Sequence, residues 1–502
     1  MRYGFSVPDS GPVRKNRAAG LRTVRIGITP RNTPEGRMSD YETQRQRHVS
    51  DALALAPRLI EQLGWPADRL AEHRALRLRE LVRIATERSP WYRKRLSGVD
   101  IDRLDETALA ELPVLTKAEL MEHFDDIVTD SRLTLAGLEA HLSTVETGSY
   151  LLGRYTAITS GGSSGTRGVF VYDWHSFAVF WLTCFRTLLR ARNSYRDLAS
   201  RPAVMASVTA AHFSHATAAM ARTFSSPRMT TVRLPVTLRT EEIVAGLNQA
   251  QPDFMLVYPS VLYVLAREAL AGRLGIAPRR ILAGGEPLLP EIRAASEQAW
   301  GGKVINIYGT SEGGGTAVGC DRGGTHIGDD QLIVEPVDLV GRPVPPGERS
   351  AKVYLTNLYN PVLPLIRYEI TDEVTVLPGP CPCGSAHRLI ADVQGRLDDV
   401  FSYHGQRVHP HLFRTALSRE AGVVEYQVRQ TPAGAAISVR CVAPVSLDGL
   451  RERVAAALTR AGLDQPEVTV QTVDRLERPG GVAKLKRFLP LDRAPAPLNS
   501  GR

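Results

Sequence analysis

The chain has 502 residues, 43% apolar and 23% charged, with a formal charge of +9 and a sequence pI near 9.4. That length exceeds one compact core, so a large domain plus a smaller one is expected, in a chain of ordinary globular composition. The basic excess is mostly Arg scattered among acids, which argues against a nucleic-acid partner, and no apolar run approaches the ~20 residues that span a bilayer.

Residues 1–45 read as a disordered extension. The first 37 are rich in Arg, Gly, Pro and Ser and lack the apolar stretch of a secretory signal; Met38 is a second candidate start. Five cysteines, unevenly placed, do not make a disulfide framework and fit a reducing cytoplasm. From about 50 to 126 apolar residues recur at three and four spacings and predict helices, with a break at Ser89-Pro90.

From about 150 to 395 β-like runs at 203–208, 254–258, 280–283 and 303–308 alternate with helix-like stretches at 259–271 and 290–300. Such alternation predicts an α/β domain on a largely parallel sheet. Beyond Gly395 short strands at 425–429, 436–440 and 467–471, with a helix over 447–461, predict a small α+β domain. The boundaries read as 46–396 for the large domain and 397–502 for the small one, with a hinge over 395–399.

Four polar segments and one lysine carry the chemistry. Thr159-Ser-Gly-Gly-Ser-Ser-Gly-Thr-Arg-Gly168 lies between two β-like runs and offers backbone N–H groups and hydroxyls to phosphates; a flexible hairpin tip is the alternative. Tyr308-Gly-Thr-Ser-Glu312 follows an apolar strand, where open α/β sheets bind ligands, and Glu312 suits Mg²⁺; a plain polar turn is the alternative. Arg367-Tyr-Glu-Ile-Thr-Asp372, Gly395-Arg-Leu-Asp-Asp399 and Lys484 complete an order that is hard to obtain by chance.

This ordered set resembles that of the adenylate-forming superfamily of acyl-coenzyme A synthetases, adenylation domains and luciferases, and within it the phenylacetate-coenzyme A ligase family. Ser89-Pro-Trp-Tyr92, Leu112-Pro-Val-Leu-Thr-Lys117, Gly284-Gly-Glu-Pro287 and Pro364-Leu-Ile-Arg-Tyr368 are similar to stretches of that family. The resemblance, from about 50 to 490, implies a large adenylate-forming domain of mixed, largely parallel sheets and helices plus a small mobile lid.

Carried over by position, Ser160, Gly161, Gly162, Ser163, Ser164 and Gly165 form the phosphate loop, here without the usual proline. Gly284, Gly285 and Glu286 line the adenine and acyl pocket, Tyr308 stacks on adenine with Gly309 beside it, and Ser311 lies near the α-phosphate. Glu312 holds magnesium, Asp372 grips the ribose, Arg396 meets ribose and phosphate, and Asp398 is the hinge. Lys484 reaches into the site during adenylation, although Ala483 stands where a glycine is usual and Lys486 is an alternative.

The acyl pocket is expected near His212, Phe213, Tyr258 and Ala283. Cys320, His326, Cys381 and Cys383 form a Cys₃His set suited to structural zinc, with His387 as a lesser substitute and free buried thiols as the alternative. The implied activity is ATP- and Mg²⁺-dependent activation of a carboxylic acid, an aromatic one by family habit, and transfer of the acyl group to coenzyme A. A carrier-protein thiol or an amine is the alternative acceptor, a non-catalytic zinc-stabilised binding protein is a reading of another class, and a homodimer stays open.

Overall fold

The computed structural model describes residues 40–144, 150–160, 168–192, 195–209, 214–224, 228–302, 304–393, 399–404, 406–408, 410–417, 420, 422–441, 443–477 and 485–491. The expected site residues Gly161, Gly162, Ser163, Ser164, Gly165, His212, Phe213, Arg396, Asp398 and Lys484 lie outside them.

The helical opening is present and starts earlier than the sequence pattern suggests. Helix Asp40–Gln62 takes in residues 40–45, which were expected to belong to a disordered extension. Tertiary contacts hold this turn: the Tyr41 and Tyr150 rings lie 5.1 Å apart, and Arg45 donates to the Thr223 carbonyl at 2.9 Å. Helix Ala67–Arg88 ends where Ser89, extended ahead of Pro90, cannot continue it. The Ser89 hydroxyl then accepts the Tyr92 N–H at 3.2 Å and caps helix Pro90–Arg95.

Strands β1 (Thr156–Thr159) and β2 (Val169–Tyr172) form an antiparallel pair around the glycine-rich loop. Then follow β3 (Ala203–Val208), β4 (Met229–Arg233), β5 (Phe254–Val257), β6 (Arg280–Gly284) and β7 (Val304–Thr310), all mutually parallel in the order β4-β3-β5-β6-β7. β8 (Gly314–Gly319) extends this sheet antiparallel to β7, and β9 (Thr325–Ile327) pairs antiparallel with β8. β10 (Leu332–Val337), β11 (Lys352–Asn357) and β12 (Tyr368–Ile370) form a separate three-stranded sheet. β13 (Val376–Leu377) and β14 (Leu389–Ile390) return to close the far edge of a nine-stranded sheet, so the sheet is half parallel and half antiparallel.

Period-two alternation in the parallel strands feeds two cores. Phe254, Leu256 and Leu282 face one core with helix Trp174–Arg192, while Met255, Val257, Ile281 and Ala283 face the other, under helices Thr240–Ala250, Pro259–Leu270 and Pro290–Trp300. Helix Trp174–Arg192 is pinned by Arg186, which donates to Asp330 in a fully buried pair, one bond of which is 2.7 Å.

The C-terminal part has its own core of Phe401, Phe413, Val428, Ile437, Leu450 and Leu458. It holds a hairpin, β15 (Phe401–Tyr403) with β16 (Gln406–Val408), and a four-stranded sheet. That sheet is ordered β19 (Glu467–Thr472), β18 (Gly434–Cys441), β17 (Val423–Thr431), β20 (Phe488–Leu489), packed with helix Leu447–Arg460. Among the described residues no helix is long and apolar enough to cross a membrane.

Candidate active site

The parallel strands deliver their polar ends to one rim of the sheet. β6 ends in Gly284, where a Cβ would stand 2.9 Å from the Ile307 carbonyl oxygen, so only glycine lets β6 and β7 end this close together. At the end of β7 the Tyr308 hydroxyl donates to Asp372 Oδ2 at 2.8 Å, joining the strand end to the segment after β12. Two motifs 64 residues apart thus share one buried hydrogen bond.

The turn from β7 into β8 holds Ser311 and Glu312. Ser311 Oγ donates to the Thr159 carbonyl at 3.3 Å, and the Tyr172 hydroxyl donates to the Ser311 carbonyl at 2.5 Å, so both ends of the glycine-rich hairpin touch this turn. The Asn357 amide donates to the Glu312 carbonyl at 2.8 Å and fixes the backbone beneath its carboxylate, on a residue only 7% exposed. Burial raises the Tyr172 and Tyr368 hydroxyls well above the usual phenol range, and the charge of Glu312 adds to the shift in both.

The two residues that flank the glycine-rich segment 161–167 are hydrogen-bonded to each other. Ser160 N–H donates to the Gly168 carbonyl at 2.9 Å, and Gly168 N–H donates back to Ser160 Oγ at 3.0 Å. Thr159 N–H donates to the Ser214 carbonyl at 2.8 Å, which brings the chain just beyond His212 and Phe213 to the same rim. Tyr258 and Ala283 are fully buried, and the Tyr258 hydroxyl lies 3.5 Å from Thr217 Oγ1. Thr217 also borders a cavity of about 50 Å³ walled by Trp181, Phe185, Met205, Met220 and Leu256.

Glu286 reaches further than its neighbours. One carboxylate oxygen accepts the Ser260 N–H and the other the Leu485 N–H, both at 3.0 Å, so the small domain meets the rim beside the position that follows Lys484. Leu485 and the half-buried Arg487 carry no recognisable motif. Asp392, which accepts from Arg293 at 2.9 Å and Asn306 at 2.7 Å, was likewise not legible; it fixes the chain just ahead of the expected hinge.

The Cys₃His set does meet in space. The four ligand atoms of Cys320, His326, Cys381 and Cys383 lie within 4.8 Å of one another. Cys320 Sγ and Cys381 Sγ are 3.8 Å apart, and Cys383 Sγ is 3.2 Å from His326 Nε2. A tetrahedral site with Zn–S bonds of about 2.3 Å has edges of roughly 3.8 Å, so the donors fit zinc. His326 Nδ1 is 3.0 Å from the His387 carbonyl, which fixes the ring with Nε2 toward the thiols. His387 itself turns its ring to the Ile327 and Gln62 carbonyls. A Cβ on Gly324 would come within 2.9 Å of Cys381 Sγ, so the corner tolerates no side chain there. The cluster sits where β8 ends and β9 pairs with β14, at the opposite end of β7 from Tyr308 and Glu312.

Strand ends that converge on a glycine-rich hairpin, with a separate small domain brought against them, make a mixed α/β architecture like that of adenylate-forming enzymes. Its sequence is similar to phenylacetate-coenzyme A ligases. That of Thermus thermophilus is 27% identical over 379 residues, covering 72% of this chain and 78% of the relative. That of Pseudomonas putida is 33% identical over 181 residues, 34% of this chain and 40% of the relative. No protein-family model matches the chain. The fold is that of a 2-hydroxyisobutyryl-CoA ligase in its postadenylation state, TM-score 0.66 at 18% identity, covering 86% of this chain and 91% of that one.

Proposed function

We propose that this AMP-forming ligase activates an aromatic carboxylic acid as an acyl-adenylate and transfers the acyl group to coenzyme A. The observation that carries the reading is the convergence of the Tyr308–Asp372 pair, the Glu312 turn and the Glu286-bound Leu485 at one sheet rim. In the first step a carboxylate oxygen of the acid forms a bond to the α-phosphorus of ATP, and the bond to the pyrophosphate oxygen breaks. In the second, the thiol sulfur attacks the acyl carbon, AMP leaves with its oxygen, and the thiol proton passes to solvent.

The first step needs in-line positioning and charge neutralisation more than proton transfer. Residues 160–165 present N–H and hydroxyl groups to the β- and γ-phosphates, Tyr308 faces the adenine, and Asp372 and Arg396 hold the ribose. Ser311 contacts the α-phosphate, and Lys484 offsets the charge that develops there. Mg²⁺ at Glu312 supplies charge neutralisation of the leaving pyrophosphate when bound. Gly285 and Gly309 leave room for the nucleotide, and rotation about Asp398 exchanges the lysine for the thiol. The aromatic preference is supported by the sequence similarity to phenylacetate-coenzyme A ligases. Zn²⁺ at the Cys₃His corner is structural, since four protein ligands leave no open position.

The test is pyrophosphate release with a panel of aryl and alkyl acids, with hydroxylamine present to trap acyl-adenylate. Release that depends on an aryl acid and drops at least a hundredfold in Lys484→Ala is the expected result. No release with any acid would overturn the reading, and a hydroxamate without a coenzyme A thioester would overturn its second step.

A further inference from the structure

Glu286 links the two domains in a way that its place in a nucleotide pocket does not require. It follows Gly285, whose φ of 84° turns the chain away from β6 and lifts the next side chain over the rim. Its Oε2 accepts the Ser260 N–H in the first turn of helix Pro259–Leu270, and its Oε1 accepts the Leu485 N–H from the small domain. The helix terminus favours the carboxylate on one side, so the anchor belongs to the large domain. On the other side the bond feeds directly into the small domain's sheet, because Phe488–Leu489 pair with β17 three residues on. Arg487 adds to the same junction. Burial alone would weaken its hold on its proton, yet the Tyr426 hydroxyl and the Glu286 charge more than offset this, and the Tyr426 ring lies 4.9 Å from the guanidinium.

A carboxylate with one backbone N–H from each domain is directional. Rotation of the small domain breaks the Leu485 bond and leaves the Ser260 bond intact. We propose that Glu286 is a positioning residue, a latch that holds the small domain in the pose of the first half-reaction and fixes the approach of Lys484, the residue bonded to Leu485. The inference rests on the adenylating reading above and adds a regulated step to it: release of this one hydrogen bond precedes thioester formation.

Glu286→Gln tests it with little change of shape. The two N–H groups sit on opposite carboxylate oxygens, and in the amide one of these positions becomes an NH₂ donor that cannot accept, so one bond is lost and the helix-terminal Ser260 N–H keeps the oxygen. Loss of one charge-assisted bond shifts the closed population by about tenfold. We expect tryptic cleavage after Lys486 and Arg487 in the unliganded protein to rise about tenfold. Acid-dependent ATP–pyrophosphate exchange should fall about tenfold in kcat with a smaller change in the KM for ATP. Leu485→Pro removes the donor from the other side, and the double variant should be no worse than the worse single one.

Unchanged cleavage in Glu286→Gln, or fully additive effects in the double variant, would overturn the latch. If the natural chain shows no exchange with any acid, the adenylating reading fails on its own, and the protease comparison still decides whether Glu286 holds the two domains together.

Discussion

Tyr308 was legible as a site residue because a tyrosine ends an apolar strand and opens a Gly-Thr-Ser-Glu turn. Its hydroxyl partner was not, since nothing local to residues 308 or 372 says that β12 delivers Asp372 to within 2.8 Å. Tyr308→Phe keeps the ring proposed to face adenine and removes the hydroxyl that donates to Asp372. Asp372 then loses the donor that orients one of its oxygens, and a net hydrogen bond of about 1–2 kcal/mol raises the KM for ATP roughly five- to thirtyfold while leaving the fold intact. Steady-state kinetics with ATP varied, beside a thermal melt, check this; an unchanged KM would show that the pair serves packing alone. Glu286 has the converse history. The Gly-Gly-Glu pattern marked the residue, but the bond that gives it weight lies 199 residues away and involves a backbone N–H that has no sequence signature.

Among the elements, the parallel strands were readable because each is an apolar run bounded by turn residues, and observed β3 coincides with the expected 203–208. The antiparallel half was much less so. β13, β14 and β9 have only two or three residues each, too short for any periodic signal, and their place in the sheet is proposed to depend on the Cys₃His corner beside them. That dependence is itself testable. Zinc analysis of the purified chain should give about one metal per chain, and Cys381→Ser or chelation should remove it. Hydrogen exchange should then rise over residues 376–391 and 320–327, with the melting temperature falling by about 2–4 °C per kcal/mol lost. Because the corner lies at the far end of β7 from Glu312, ATP–pyrophosphate exchange at low temperature should fall no more than about twofold. A well-folded, metal-free chain would sink the zinc assignment, and loss of exchange before any loss of structure would sink its purely structural role.

For the whole molecule, the two-domain plan is expected from length and from the change of pattern after Gly395, and residues from Phe401 onward pack around a hydrophobic cluster of their own. How the helical opening is fastened to the α/β body was not legible, because it depends on side-chain contacts between distant segments, among them one polar group in an aromatic setting. His48, on helix Asp40–Gln62, is fully buried; its ring stacks 5.8 Å from Trp174 and edge-on 5.2 Å from Phe224, with Nε2 at the Trp174 carbonyl. Burial pulls its pKa down from 6.5 to about 4, against the smaller pull of that carbonyl in the other direction. The sign follows from proton uptake. Between pH 6.5 and about 4 the unfolded imidazole binds a proton that the folded one does not, so stability falls as pH falls through this window and the effect levels off below it. The full loss is roughly 3 kcal/mol at 1.36 kcal/mol per unit. Carboxylates also begin to titrate near the lower end, so the measurement is a difference: urea unfolding of the natural chain and of His48→Phe at pH 7, 5.5 and 4. The natural chain should lose roughly 3 kcal/mol more than the variant across the range. Parallel losses in the two proteins would mean that His48 takes up its proton in the folded state, and that the opening helices are held by packing without a pH-sensitive contact.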